Sequence, residues 1–586
     1  MQPIKLILGS FLLIGAAGPS GYLFARDMPQ EFCSRPAPGS SVEEPEDLYS
    51  RDGVLKVHLS VRNERQKDGA TRFCYVLDNG SQSPTLRLKP GDLLVLNLDN
   101  QLIDTDAAAP AGKAIHAHHE SGAASDPCKS EMMSLTSANL HFHGLSVPPV
   151  CHQDDVLHTS IQPSDPPFEY RVRIPDDEPP GLYWYHPHIH GFSSRQVLGG
   201  ASGALIVEGI ERANSDLAGL PERVLVVRDQ DLLTPNAPSS SSQAAVPVII
   251  DRDGDAANTG TGAGKPAKDL SVNFVPVPFP DYPPAKIIMK PGDRQLWRVL
   301  NASSVTYLNL AVIFKRGPRF QAQHLGLAAI DGVPLTVSGT VGHAIEWRPS
   351  IMISPGARAE FIVTAPPAGV EGLLVTRTVN TGPGGENDPN RPLVSIVAST
   401  SAAPLHSALP AAPKPLAQGR LPWLGSVTPT RTRKLYFSED ALDPKDPGAA
   451  QKFYLTVDGQ TPAVFDPLSS EPSIVVKQGE VEDWIIENRS SELHAFHIHQ
   501  VHFQVVEWLG LPVNEPFLRD VINVPFFIAS MTGYPSVRLR MDFRDPDTVG
   551  TFVFHCHLLD HEDGGMMGLI RVEPANRDAT RDARGN

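Results

Sequence analysis

The residues able to do chemistry crowd into two short stretches. HCHLLDHEDGGMM carries His555, Cys556, His557, His561 and Met566, and HAFHIH carries His494, His497 and His499. A cysteine thiolate, two imidazoles and a weak axial methionine make up the ligand set of a blue-copper electron-transfer centre. Cys556, His494, His561 and Met566 offer that set. Four histidines are left over, and four more recur earlier in the same H-x-H spacing: His141 and His143 in NLHFHG, His186 and His188 in GLYWYHPHIHG. Eight imidazoles suffice to hold three further coppers that bind and reduce dioxygen. One H-x-H pair means little, since satisfied core or surface histidines are common. Four pairs beside a Cys/His/Met array are not accounted for that way.

The elements that must position these groups are strands. TVGTFVFHCH alternates and is rich in β-branched and aromatic residues, which reads as a strand. Side chains on a strand alternate faces, so His555 and His557 point one way and Cys556 the other. In HAFHIHQVHFQVV, His497 and His499 share a face and His494 lies opposite. Two facing strands would thus give a Cys/His pair to one metal and four histidines to a second site behind it, with Cys556 joined directly to its two histidine neighbours.

An internal repeat supplies the domain count. LRLKPGDLLVLNLDN, IIMKPGDRQLWRVLN and IVVKQGEVEDWIIEN place Lys89, Lys290 and Lys477 each eleven residues before Asn100, Asn301 and Asn488. Alternation around a KPGD-type turn predicts a hairpin in a β-sandwich, three times over. After Asn488 the histidines follow by six, nine and eleven residues; at the same offsets after Asn301 stand Tyr307, Leu310 and Val312. The middle domain is therefore expected to be structural and to shape a cleft. GLYWYHPH aligns with GTFVFHCH, and Pro187 and Phe192 fall where Cys556 and His561 stand. The first domain keeps a histidine pair but has no thiolate. The consistent count is one type 1 copper and one three-copper cluster between the terminal domains.

These segments resemble those of three-domain multicopper oxidases of the laccase-like, bacterial type, over nearly the whole chain after residue 50. The resemblance implies an all-β fold of three cupredoxin-like Greek-key sandwiches. By that resemblance His494, Cys556, His561 and Met566 are the type 1 ligands, and His141 and His497 the type 2 ligands. His143, His186, His188, His499, His555 and His557 are the type 3 ligands. It also implies that Glu562, next to His561, and Asp154 in CHQDDV help deliver protons, although the pattern does not separate Asp154 from Asp155. An acid near such a cluster can relay protons through a hydrogen-bonded water; the plain alternative is a capping carboxylate.

Length and composition agree. The 586 residues suit three or four domains. The 56 prolines and 47 glycines are spread without period, as in a turn-rich β protein. A formal charge of −16 and the absence of a Lys/Arg block argue against nucleic acid. Residues 1–25 have one lysine, a short apolar stretch and then small residues, a signal peptide directing export to the periplasm or exterior. An uncleaved anchor is the alternative, and no twin arginine is present. With Cys556 assigned to copper, four cysteines remain and allow three pairings. Cys33–Cys74 with Cys128–Cys151 is expected, the second clamping the insertion before HFHG.

The expected order is an arm (26–49), a first domain (50–215), a middle domain (222–400), a linker (401–422), a third domain (423–573) and a disordered tail (574–586). Residues 101–134 form an irregular insertion whose His116, His118 and His119 read as loop histidines, and residues 243–266 a flexible hairpin extension. GTGAGKP lacks the phosphate-loop pattern. His152, His158, His190 and His502 fill no ligand position.

The expected activity is four-electron reduction of O2 to water, coupled to one-electron oxidation of phenols or other aromatic reductants through four copper ions. Alternatives are a metal-ion oxidase acting on Mn(II), Fe(II) or Cu(I), a bilirubin-oxidase-like enzyme, a copper nitrite reductase or a non-catalytic copper binder. Ten methionines leave no Met-rich insertion for Cu(I). A monomer without stable membrane insertion is the simplest expectation.

Overall fold

Alternating burial along the chain builds strands, and the strands build sandwiches. Ala285–Met289 buries every second residue, and Ser536–Asp542 does so across seven. The computed structural model describes residues 32–575 except residue 68 and residues 106–125, 130–132, 238–254, 336–344, 403–404, 407–421, 441–450, 470 and 514. The expected signal peptide, the loop histidines 116, 118 and 119, most of the linker, part of the hairpin extension and nearly all of the tail lie outside the described residues.

The described strands form six sheets, and the fold is that of cupredoxin-like β-sandwiches. In the first sandwich, a sheet ordered Asp47–Tyr49, Thr85–Leu88, Gly203–Val207, Gly181–His186, His141–His143 packs on Thr71–Val76, Val54–Arg65, Leu93–Gln101, Phe168–Arg173. Leu59, Leu86, Leu96, Tyr183 and Val172 meet in its core. In the last, the sheet Ile474–Lys477, Met567–Glu573, Gly550–Cys556, His494–Ile498, Val521–Val524 carries both metal-ligating stretches.

The expected hairpins are not formed. Thr85–Leu88 and Leu93–Gln101 flank the Lys89 turn but belong to different sheets, and the same holds on either side of Lys290 and Lys477. Each turn is an arch that carries the chain across the sandwich. Alternation identifies half-buried strands but not their partners; here the partners are distant and parallel, Leu86 with Leu205 and Leu55 with Leu94.

The asparagine ending each repeat does the same work three times. Asn100 donates to the carbonyls of Thr136 and Ile161, Asn301 to those of Thr306 and Ile353, and Asn488 to those of Glu492 and Val524. Each also accepts the backbone N–H two residues on. All three are buried. A buried amide that turns the chain and satisfies facing carbonyls fixes where the next strand starts, and in the third copy that strand opens on His494.

The segment before residue 50 is more than an arm. Cys33 is disulfide-bonded to Cys74, Val42 and Lys286 pair through backbone, Glu44 holds Arg223 at 2.5 Å, and Asp47–Tyr49 adds to the first domain's sheet. It straps the first domain to the middle one. Cys128–Cys151 is the second disulfide, so both expected pairings are present. Among the described residues no helix is long and apolar enough to cross a membrane.

Candidate metal centre

Gly550–Cys556 and His494–Ile498 are hydrogen-bonded neighbours in one sheet, not strands facing each other across a gap. Phe496 pairs with Cys556 and His497 with His555. Face alternation then does what the sequence requires, sending Cys556 and His494 to one side and His497, His499, His555 and His557 to the other.

On the first side, Cys556 Sγ lies 3.5 Å from His494 Nδ1 and 3.9 Å from His561 Nδ1, and the two nitrogens are 3.2 Å apart. His561 sits on the short helix Leu559–Asp563, and Met566 is fully buried beyond it. Burial pushes the Cys556 thiol up, so a thiolate there needs a cation beside it. The outer nitrogens of both imidazoles meet carboxylates: His494 Nε2 is 3.2 Å from Glu439 and His561 Nε2 is 3.5 Å from Glu492. His494 Nε2 is also 2.7 Å from Ser490 Oγ.

On the second side, eight imidazoles converge from two domains. His141 pairs with His186 across adjacent strands of the first, and His188 follows His186 by two residues. His499 Nε2 and His188 Nε2 approach His555 Nε2 to 3.2 and 3.4 Å. His141 stacks on His499 at 3.8 Å and His143 on His497 at 4.0 Å between ring centres. Burial lowers His143, His186, His188, His497, His499 and His557 well below the usual imidazole range and His555 to about 3. They are neutral, with lone pairs to give.

One nitrogen of several of these rings is engaged by protein and the other is left over. His141 Nδ1 lies 3.0 Å from Asp154, His186 Nδ1 2.9 Å from the Pro187 carbonyl, and His497 Nδ1 2.8 Å from the Asp520 carbonyl. His143 Nε2 is 3.2 Å from Asp520 Oδ1. The opposite nitrogens, His141 Nε2, His186 Nε2, His497 Nε2 and His143 Nδ1, are buried without a partner. Oriented, unsatisfied, neutral imidazole nitrogens are what a metal site presents. The donor set fits copper, with a thiolate–imidazole site and an all-imidazole cluster.

The acids separate cleanly. Asp154 is buried and accepts from His141 Nδ1, Phe142 N and Gln500 Nε2, whereas Asp155 pairs with the exposed ring of His158. Glu562 is fully buried, with Oε2 3.2 Å from His555 Nδ1 and Oε1 3.6 Å from His188 Nε2. Burial first, then neighbouring Asp563, raises it well above the carboxylate range. Sequence reasoning missed Glu439, Glu492 and Asp520, which reach the imidazoles from separate loops and strands with no fixed spacing. It also left His502 unassigned; that ring is buried, 3.6 Å from Asp520 Oδ2.

Comparison with known proteins agrees with this geometry. Two sequence profiles described as "Multicopper oxidase" match residues 133–212 and 442–576, the two regions that carry the ligands. The "Multicopper oxidase mco" of Staphylococcus haemolyticus is 23% identical over 496 residues, covering 83% of this chain and 81% of the relative. Among solved structures, a Campylobacter jejuni multicopper oxidase titled "a metallo-oxidase" superposes with TM-score 0.61 at 22% identity, over 92% of this chain and 96% of that one. A laccase-like multicopper oxidase from Ochrobactrum superposes with TM-score 0.58 at 20% identity, over 91% of this chain and 100% of that one. These superpositions show the shared fold. Taken with the profiles and the relatives that span most of the chain, they support a bacterial-type multicopper oxidase; members of that family are copper-dependent oxidoreductases that use O2.

Proposed function

We propose that this oxidase draws single electrons from a low-valent metal ion and passes them to O2, with four copper ions held by the residues named above. The observation that carries the reductant class is the pair of carboxylates on the outer nitrogens of His494 and His561. Two carboxyl groups against the edge of a redox site attract a small cation and would seat it one imidazole away from Cys556. His494 is fully buried and His561 nearly so, which leaves little ring edge for a flat aromatic donor to stack on.

Bound copper supplies one-electron storage at the thiolate site, with His494, Cys556, His561 and Met566 as ligands, and four-electron reduction of O2 to water at the cluster. The type 2 position falls to His141 and His497, and the type 3 positions to His143, His186, His188, His499, His555 and His557. The protein's part is connection and proton supply. Peptide bonds join Cys556 to His555 and His557, so no through-space gap separates the two sites on that path. Glu562, kept protonated by burial, holds a proton beside His555 and His188. Asp154 holds His141 and, through Gln500, the loop after His499. These two acids are assigned as the proton-handling groups.

A second reading, oxidation of phenols or other aromatic reductants, is favoured by a groove of about 270 Å³ where Trp508, Phe526 and Met352 gather around Leu493, the residue before His494. The Campylobacter and Ochrobactrum proteins carry these two descriptions between them, metallo-oxidase and laccase-like. Two disulfides support export to an oxidising compartment, and all eight cluster histidines coming from one chain supports a monomer.

The deciding experiment compares turnover of Fe(II), Mn(II) and Cu(I) with that of a dimethoxyphenol in the wild type, Glu439→Gln and Glu492→Gln. The expected result is a KM for the preferred metal ion raised roughly tenfold, equivalent to about 1.4 kcal/mol, with phenol turnover retained. Phenol turnover exceeding that of every metal ion, and falling in parallel in the variants, would return the assignment to the aromatic reading.

A further inference from the structure

The middle domain supplies no ligand, yet it reaches the cluster. Arg358 opens the strand Arg358–Thr364 and is fully buried. Its Nη1 and Nη2 each donate to one oxygen of Asp520 at 2.7 Å, a bidentate pair. Its Nε donates to the carbonyl of Leu182, on the strand that ends at His186. Its backbone N–H is held by Asp331 at 2.9 Å. One guanidinium therefore touches all three domains.

Asp520 is the group it holds, and Asp520 touches one cluster imidazole from each terminal domain. Its Oδ1 is 3.2 Å from His143 Nε2, and its carbonyl is 2.8 Å from His497 Nδ1. The rings of His143 and His497 stack on each other within 10° of parallel.

We infer that Arg358 is a positioning residue for the copper cluster: through Asp520 it fixes His143 with Nε2–H on the carboxylate and Nδ1 toward the metal. The inference rests on the copper reading of the site. An ionised carboxylate can only accept, so the nitrogen facing it carries the proton and the opposite nitrogen keeps its lone pair. His143 Nδ1 is the one left buried without a partner. Without Arg358, the buried Asp520 carboxylate would lose its counter-charge and both fork hydrogen bonds, and would be drawn toward other donors such as His502, 3.6 Å from its Oδ2.

The backbone is shaped around this pair. Gly144, directly after His143, has φ +89°, and any side chain there would strike Arg358 and Asp520. Gly356, two residues before Arg358, has φ +80°, and a Cβ there would come within 2.6 Å of the His557 ring. The turn bearing Gly356 and Arg358 thus presses on the cluster from the middle domain. A lysine at 358 keeps the charge but cannot form the fork.

The test uses full-length copper-loaded protein carrying Arg358→Lys or Asp520→Asn, the latter nearly isosteric, so that a fold intolerant of one variant is still read through the other. Three quantities are followed: copper per chain, the thiolate–copper absorption band, and the paramagnetic resonance of the cluster. Expected is a thiolate band of wild-type intensity with cluster copper bound about 10–100-fold more weakly, the loss typical when the partner of a ligating histidine is removed, and an altered resonance. Cluster copper and resonance unchanged in a folded variant would overturn the inference. Equal loss of both sites would also overturn it, marking a general packing role. A wild-type protein that binds copper without the thiolate band would instead refute the copper reading itself.

Discussion

His188 Nε2 and His555 Nε2 lie 3.4 Å apart across 367 residues of sequence, one on each terminal domain. His499 Nε2 crowds the same atom of His555 at 3.2 Å. Neutral nitrogens at this range cannot all be satisfied by one another, because lone pairs repel and two N–H groups clash. A cation among them turns that repulsion into cohesion between the domains. Copper is therefore expected to stabilise the fold: at free copper about a thousandfold above its Kd, linkage gives about 4 kcal/mol. Calorimetry with and without a chelator measures it, and identical melting in both would contradict a cation-bridged interface.

Glu178 gives a stability that depends on pH. Burial raises it from the usual glutamate range to about 8, against the lowering effect of the hydrogen bond from Ser146 N–H and of the nearby Tyr183 hydroxyl. The folded chain keeps a proton that the unfolded chain releases above about pH 4.5. Its contribution is thus fully present below that pH and is lost as pH rises through 8. Glu178→Gln, which can still accept from Ser146, is expected to match wild type at pH 4 and exceed it at pH 8.5 by on the order of 2–4 kcal/mol. Urea midpoints across that range decide; parallel curves would rule the proton out.

A buried ionic chain joins the first domain to the middle one. Glu222 binds Arg87 at 2.6 Å and Arg298 at 3.0 Å, Arg87 binds Glu208 at 2.9 Å, and Arg298 continues to Glu360. Burial opposes the Glu222 charge, but Arg298 and Arg87 together hold its carboxyl down at about 2. The stability it lends is present above the unfolded glutamate pKa and lost as pH falls toward 2. Glu222→Gln leaves two buried arginines short of charge and is expected to cost about 3 kcal/mol at neutral pH. A change below 0.5 kcal/mol in denaturant unfolding would mean that Asp47, Glu208 and Glu360 carry the chain without it.

The ligands were legible because face alternation and H-x-H spacing are local, and the structure puts Cys556 and His494 on one side and the cluster histidines on the other as that reasoning requires. The repeat was legible too, but its meaning was not. Lys89, Lys290 and Lys477 mark arches between sheets, since alternation is the same whether the next strand pairs with its neighbour or crosses to the far sheet. Asp520, Glu439, Glu492 and Arg358 had no signal, because each meets its imidazole or partner through the packing of distant segments. His502 looked like an ordinary histidine for the same reason.

The strap before residue 50 bears on how the protein is made. Val42 finds its backbone partner in Lys286, roughly 240 residues later, which at typical synthesis rates of about 5–20 residues per second means a wait of about 12–50 s. Throughout that time residues 41 and 42 have no backbone partner, although Asp47–Tyr49 can already pair within the first domain, and the middle domain of a neighbouring copy can arrive first. The same contact that ties two domains together in the finished molecule is thus the place where two molecules can exchange segments.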